Sequence, residues 1–355
     1  QYLIVYNHQT AFDQFFVGMT VIGPIYYLAS EDLFSKGFVS SLIRYLVAPI
    51  PIKKQTTDVT AVINCMRVAR EGGTIAIAPE GNRTYSGKTE YINPSIAMLA
   101  HKLKLPIAFV RIEGGYGVQP RWSDVTRSGN MKAYVSKVLE LQQYAALSNE
   151  ELLAVIEQEL YVNEAKADGV YKHKKSAEYL ERAIYVCPSC GLSTFKSAKN
   201  EISCTKCGMR VRYLPTKELE GVGFDFPFKF VNDWYEHQSS YVNRLDLRQY
   251  INAPMYNEVA DVYEVEVYKS KKLVMRDAAI RLYGNRIELF EGIVLPFEEI
   301  SAVAVLGRNK LNIYHGGKVY QLKGDKHFNA LKYVNIYYRS KNIGKDDKDG
   351  KFLGL

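Results

Sequence analysis

No uninterrupted apolar run in these 355 residues reaches the ~18–20 residues that span a bilayer. No signal-peptide pattern opens the chain, and neither an internal repeat nor a low-complexity tract interrupts it, which sets aside solenoids and long flexible linkers. Cysteine is scarce: five residues, four of them in two close pairs, a usage that excludes a disulfide-stapled secreted scaffold and suggests metal thiolates in a reducing compartment. Neither charge sign is missing. With 46 Lys and Arg against 38 Asp and Glu the net charge is +8, which suits acidic partners such as anionic lipid, acyl thioester cofactors or nucleic acid and does not choose among them. At 47% apolar and 24% charged, the chain has the composition of a folded protein long enough for two or three domains. It begins at Gln1, without an initiator Met, and enters a strand-like run at once, so native residues upstream are expected.

The first ~140 residues alternate the two periodicities. A strand ends at Tyr6 and a helix is predicted from Ala11 to about Val21. After Pro49 and Pro51, Asp58 caps a helix that reaches Arg70 and stops at Gly72-Gly73. Thr74–Ala78 reads as a buried strand, Ser95 to about Lys104 as a helix, and Leu105–Ile112 as a further strand. Such alternation predicts an α/β domain over 1–147, a mixed sheet with flanking helices and its site at the carboxyl ends of strands. From Ser148 to about Tyr185 the pattern is helical and charged, opened by a Ser148/Glu151 capping box, giving a helical connector over 148–186. A cysteine module fills 187–213, a linker 214–261, and short strands with turn signals followed by one amphipathic helix fill 262–342. Cys65 sits on the apolar face of a helix and is read as a small buried hydrophobe.

Two motifs carry chemistry. Asn7-His8-Gln9-Thr10-Ala11-Phe12-Asp13 places a His and an Asp where a strand hands over to a helix, and Pro79-Glu80-Gly81-Asn82-Arg83-Thr84 follows the strand ending at Ala78. An acceptor hydroxyl attacks only when its proton is taken, a task for a neutral imidazole worth ~10²–10⁴ in rate. A carboxylate on the second ring nitrogen fixes the tautomer. An Asp five positions along one helix points away from the His, so the pair requires His8 in the turn before the helix and Asp13 in its first turn. Gly81 permits a tight turn, and Arg83 offers a planar cationic fork for phosphate. His101, His173, His237, His315 and His327 lack such company and are read as structural or solvent-facing.

These motifs resemble the HxxxxD and PEGTRS-type motifs of the glycerol-3-phosphate and lysophosphatidic acid acyltransferase family, in the same order over residues 1–140. Ile50-Pro51-Ile52-Lys53-Lys54 resembles the family's FIxR-like segment and Leu105-Pro106-Ile107 its VPI-like strand. The resemblance implies His8 as general base, Asp13 as its orienting partner, and Lys54, Glu80, Gly81, Asn82, Arg83 and Thr84 around the acceptor's phosphate and glycerol. Lys54 stands where the family usually has Arg and Asn82 where Thr is commoner, which leaves the acceptor's identity open. No nucleophilic Ser or Cys is required, since the acceptor oxygen attacks the thioester of an acyl-CoA or acyl carrier protein directly.

Cys187-Pro188-Ser189-Cys190-Gly191 and Cys204-Thr205-Lys206-Cys207-Gly208 are two knuckles thirteen residues (191–203) apart, similar to a zinc ribbon. Four thiolates close the coordination sphere, so the expected zinc is structural. Lys196, Lys199, Lys206, Arg210 and Arg212 keep a nucleic-acid-binding ribbon as the minor alternative. The C-terminal strands resemble a pleckstrin-homology-like or GRAM-like small β-barrel. Its Lys269, Lys271 and Lys272 suit an anionic membrane or else a solvated hairpin tip. Leu33–Ile52 is apolar enough to lie on a membrane or to form a core helix. The reading is an acyltransferase of phospholipid biosynthesis, cytoplasmic and peripheral on the cytoplasmic face of a membrane, with an anchor ahead of Gln1 possible. The alternative is a non-catalytic lipid- or nucleic-acid-binding adaptor that uses the ribbon and the barrel.

Overall fold

The computed structural model describes residues 1–30, 48–52, 59–265, 271–290 and 292–343, and the element numbers below cover these alone. The chain forms two compact units, one from residues 1–120 with 129–169 and one from 121–128 with 170–353.

The first unit contains β1 (Leu3–Tyr6), α1 (Asp13–Gly18), β2 (Ile25–Ser30), β3 (Ile50–Ile52), α2 (Val59–Arg70), β4 (Thr74–Ile77), α3 (Ser95–Leu103), β5 (Ile107–Glu113), α4 (Gly115–Val118), β6 (Lys132–Leu139), α5 (Leu141–Tyr144) and α6 (Asn149–Leu160). Its sheet runs β3-β2-β4-β1-β5-β6, parallel except for β6, which pairs antiparallel with β5. β1 is the central strand, paired with β4 through Leu3↔Ile75 and with β5 through Leu3↔Ile107. That position explains why all four of its residues are apolar rather than alternating: both faces are covered. Leu3 and Val5 pack with Ile75, Ile107 and Phe109 beside α2, α3 and α6; Ile4 and Tyr6 pack on the other face with Ala76, Val110 and Val17 of α1. Truncating one such fully buried side chain to Ala costs about 2–5 kcal/mol. The strand therefore holds the loop at its carboxyl end on a rigid base.

Several elements differ from the sequence-based expectation. The helix predicted over Ala11–Val21 is only Asp13–Gly18. Gly18 and the Gly23-Pro24 break stop it, and Ile25–Ser30 becomes a strand that periodicity had not singled out. The helical reading of 148–185 shortens to Asn149–Leu160, though its capping box forms as expected: Glu151 N donates to Ser148 Oγ (3.1 Å) and Ser148 N to Glu151 Oε2 (2.7 Å). Arg111 ends α6 by donating to the Glu159 and Tyr161 carbonyls. Beyond it the backbone bonds elsewhere, Tyr171 N to Pro215 O for example, so Lys172, Lys174 and Lys175 do not lie on a helix. Asp58 and most of Leu33–Ile52 lie outside the described residues.

The second unit begins with a cysteine module: β7 (Val186–Cys187) paired with β8 (Gly191–Leu192), and an antiparallel sheet of β9 (Phe195–Ala198), β10 (Glu201–Cys204), β11 (Arg210–Tyr213) and β12 (Leu219–Gly221). α7 (Val231–Asn243) lies within the stretch read as a linker and braces the first knuckle. Gln238 accepts from the Tyr185 and Val186 amides, and Trp234 Nε1 donates to Val186 O. Seven antiparallel strands follow, β13 (Tyr256–Val265), β14 (Lys272–Leu282), β15 (Arg286–Leu289), β16 (Ile293–Pro296), β17 (Ile300–Leu306), β18 (Lys310–His315) and β19 (Lys318–Lys323), in the order β16-β15-β14-β13-β19-β18-β17, and α8 (Leu331–Ile343) comes after them. Residues 121–128 join this unit through two buried arginines. Arg127 lies between the Trp122 and Tyr213 rings (4.9 and 4.6 Å), and Arg182 binds Asp124 at 2.7 Å.

Candidate active site and metal centre

The loop that leaves β1 is built by its own polar residues. Asn7 bonds both backbone groups of Ile112 on β5, its Nδ2 donating to the carbonyl (2.9 Å) and its Oδ1 accepting from the amide (2.8 Å). This fixes where β1 ends. The fully buried Asp13 carboxylate then gathers the turn: it accepts from Gln9 N (2.6 Å), from Thr10 N (2.9 and 3.0 Å) and from Thr10 Oγ1 (2.8 Å). In the first turn of α1 it also benefits from the positive end of the helix.

His8 Nδ1 lies 2.7 Å from Asp13 Oδ2. A carboxylate can only accept, so Nδ1 carries a proton, which in the neutral imidazole leaves the lone pair on Nε2. The imidazole is one-quarter exposed, and Nε2 has no partner among the described residues. Tyr6 meets its ring edge-on at 6.3 Å. The expected His–Asp geometry is therefore present because the chain turns between the two residues instead of running helically through both.

The second motif closes on the first. Ala78 O accepts from Gly81 N (3.0 Å) in a turn whose Gly81 has φ +67°, where a side chain would be strained. Glu80, 6% exposed, accepts from the His8 amide through Oε1 (2.8 Å). Burial pushes its carboxyl up to about 8, and the nearby Glu90 and Asp13 charges push the same way while the His8 amide opposes them. Its Oε2 is buried with no partner among the described residues. Thr84 N donates to His8 O (3.4 Å), a second tie between the motifs. Thr84 itself is buried, its Oγ1 accepting from Gly87 N (2.9 Å) and lying near Ser86 and Glu90, so it shapes the loop. Asn82 and Arg83 are half-buried and Gly81 is exposed; Lys54 lies outside the described residues. Glu90 contributes from outside both motifs, and Asn7 and Thr10, inside the first, build its loop without having been given a role there. Asn7 stands inside the first motif as a strand-ending amide, and that was the available signal. α1 and the turn after it expose Phe12, Phe15, Met19 and Ile22 at three- and four-residue spacing.

In the second unit the four cysteine Sγ atoms lie within 4.8 Å of one another, with Cys187 and Cys207 3.8 Å apart. Thiolates on a tetrahedral zinc stand ~3.8 Å apart, given Zn–S bonds of ~2.3 Å. Gly191 and Gly208, which follow the knuckles, have φ of +69° and +74°, the left-handed turn each CxxC needs to fold back on itself. Donor set and spacing both suit a metal ion.

The central strand of the sheet thus ends in a histidine oriented by a buried carboxylate, with a second buried acid bonded to the same loop. Residues 1–113 match the model of the acyltransferase family. Among solved structures the chain is similar to the 1-acyl-sn-glycerophosphate (LPA) acyltransferase PlsC of Thermotoga maritima, at 24% identity and a TM-score of 0.38, covering 44% of this chain and 62% of that one. No curated protein matches the chain.

Proposed function

We propose that this protein transfers a fatty acyl group from an acyl thioester, acyl-CoA or acyl carrier protein, to the hydroxyl of a lysophosphatidic acid-like acceptor, the reaction of a 1-acylglycerol-3-phosphate O-acyltransferase. The observation that carries this reading is the 2.7 Å His8–Asp13 contact with Asp13 buried and held by the turn around it. His8 Nε2 takes the proton of the acceptor hydroxyl as its oxygen attacks the thioester carbonyl. The carbon–sulfur bond then breaks, and the imidazolium returns the proton to the leaving thiolate. Asp13 keeps the lone pair on Nε2 and stabilises the imidazolium. Glu80, protonated near pH 7, holds the His8 backbone beside the acceptor's glycerol end. Arg83 and Lys54 receive the phosphate, with Gly81, Asn82 and Thr84 shaping its turn.

Cys187, Cys190, Cys204 and Cys207 would hold a structural zinc that braces the second unit, and a closed four-thiolate shell supplies no catalytic position. The seven strands and α8 are read as a pleckstrin-homology- or GRAM-like domain meeting an anionic surface. Peripheral attachment at the cytoplasmic face of a membrane is part of this reading; among the described residues no helix is long and apolar enough to cross a membrane.

The test is transfer from labelled acyl-CoA, and then acyl carrier protein, to a panel of lysophospholipids and glycerol 3-phosphate, for wild type and His8→Ala. Transfer that falls by ~10²–10⁴ in the variant is expected. Equal background with every donor would overturn the enzyme in favour of the adaptor.

A further inference from the structure

The second unit contains a cavity of about 550 Å³, within the usual size of a small-ligand site. The chain entering the first knuckle (Glu181–Tyr185), the start of the ribbon (Ser193–Phe195), the β13–β14 pair and the loop from Lys323 to Asn329 enclose it. Ile184, Tyr185, Phe195, Ala260 and Phe328 give it apolar, buried walls. Its charges are not balanced. Five carboxylates line it, Glu181, Glu258, Asp261, Asp277 and Asp325, against Lys323 and Lys332 with His327. One of the acids is matched by a cation inside, Glu258 to buried Lys332 at 2.6 Å, while Glu181 uses one oxygen, Oε1, on His327 Nδ1 at 2.5 Å. Glu181 Oε2, Asp261, Asp277 and Asp325 remain, against Lys323.

Two independent features indicate that the surplus faces a ligand. Glu181 is only 4% exposed, yet its Oε2 has no hydrogen-bond partner among the described residues. A buried, half-satisfied carboxylate is costly unless something supplies a donor. Across the cavity, the β13–β14 pairing slips between Ala260 and Val262, and Asp261 opposes Asp277, which sits at φ +47° with its amide on Asp261 Oδ1 (3.2 Å). A bulge of this kind re-aims side chains and is common beside sites.

The cation is not a bare metal ion. The cysteines are the one group of three or more candidate ligands gathered within 4.8 Å among the described residues, so these carboxylates are too dispersed to share an ion. Spaced acids around apolar walls instead match spaced ammonium groups on an alkyl chain. We propose that this cavity binds a small organic polyamine, with its ammonium groups on Glu181, Asp261, Asp277 and Asp325 and its methylenes against the aromatic walls. Ser193 lines the cavity and its Oγ lies 3.1 Å from Cys204 Sγ, so an occupant would sit one residue from the metal centre.

Titration calorimetry of the full, metal-loaded chain with spermidine at moderate salt tests this, using Asp277→Asn and Asp325→Asn as variants. Asn tolerates the left-handed backbone at 277, and 325 is on an exposed loop, so both variants should melt like wild type. One-to-one binding weakened about ten- to a hundredfold in each variant is expected, with no displacement by equimolar Mg²⁺. Undetectable spermidine binding, equal affinity in the variants, displacement by Mg²⁺, or binding of a lysine-rich peptide in its place would each overturn the proposal. None of these results bears on acyl transfer, which is read separately.

Discussion

Replacing Asp13 by Asn is the sharpest perturbation of the proposed site, because it keeps the shape and changes only what the group can accept. The carboxylate takes hydrogen bonds from two amides, one hydroxyl and the imidazole. Asn keeps one acceptor oxygen and turns an NH₂ toward donors. If that NH₂ faces His8, Nδ1 must accept, the ring proton moves to Nε2, and the base is lost. If it faces Thr10 instead, the Thr10 amide opposes it. Two charge-assisted bonds at about 1.5–3 kcal/mol each put the stability loss at about 3–6 kcal/mol before relaxation. The catalytic loss is that of a general base in the wrong tautomer, about 10³–10⁴ in kcat, or about 4–5.5 kcal/mol of barrier. Release of the donor thiol, followed continuously with a thiol reagent, gives kcat and KM; urea melts give stability. KM for the acyl donor should hold while kcat collapses. A folded Asp13→Asn protein with kcat within about tenfold of wild type would refute the role given to Asp13.

Two further outcomes follow from the same geometry. Glu80 is raised in the folded state from 4.5 to about 8, so the native protein binds the extra proton; stability is full below pH 4.5 and falls as pH rises to about 8. Glu80→Gln keeps the acceptor for the His8 amide and should flatten that part of the pH–Tm profile, whereas an unchanged slope would show that Glu80 titrates normally. Metal analysis should find one zinc per chain, lost in Cys190→Ser. Stripping it with a strong chelator should expose 186–221 to proteolysis, and a chain that resists protease equally without metal would contradict a bracing role.

Parts of this protein are legible in one dimension because their physics is local. The β1 run Leu3–Tyr6, the Ser148 capping box, the knuckle glycines and the seven C-terminal strands each express a short-range rule of periodicity, capping or backbone freedom. The helix ends at Gly18 and Leu160 were harder to place, since what competes there is bonding to distant backbone. Residues 214–261 lack a strong period, yet α7 forms there because Trp234 and Gln238 find the first knuckle.

What the sequence determined by itself is which atoms are available: an imidazole, a carboxylate five residues further on, a second acid after a strand, four thiols in two tight turns. Tertiary structure alone decided their relations. It set the turn that lets Asp13 reach back to Nδ1, the burial that raises Glu80, and the bulge that points Asp261 and Asp277 at one cavity. Desolvation and facing across a sheet depend on residues tens of positions apart, and no local pattern encodes them.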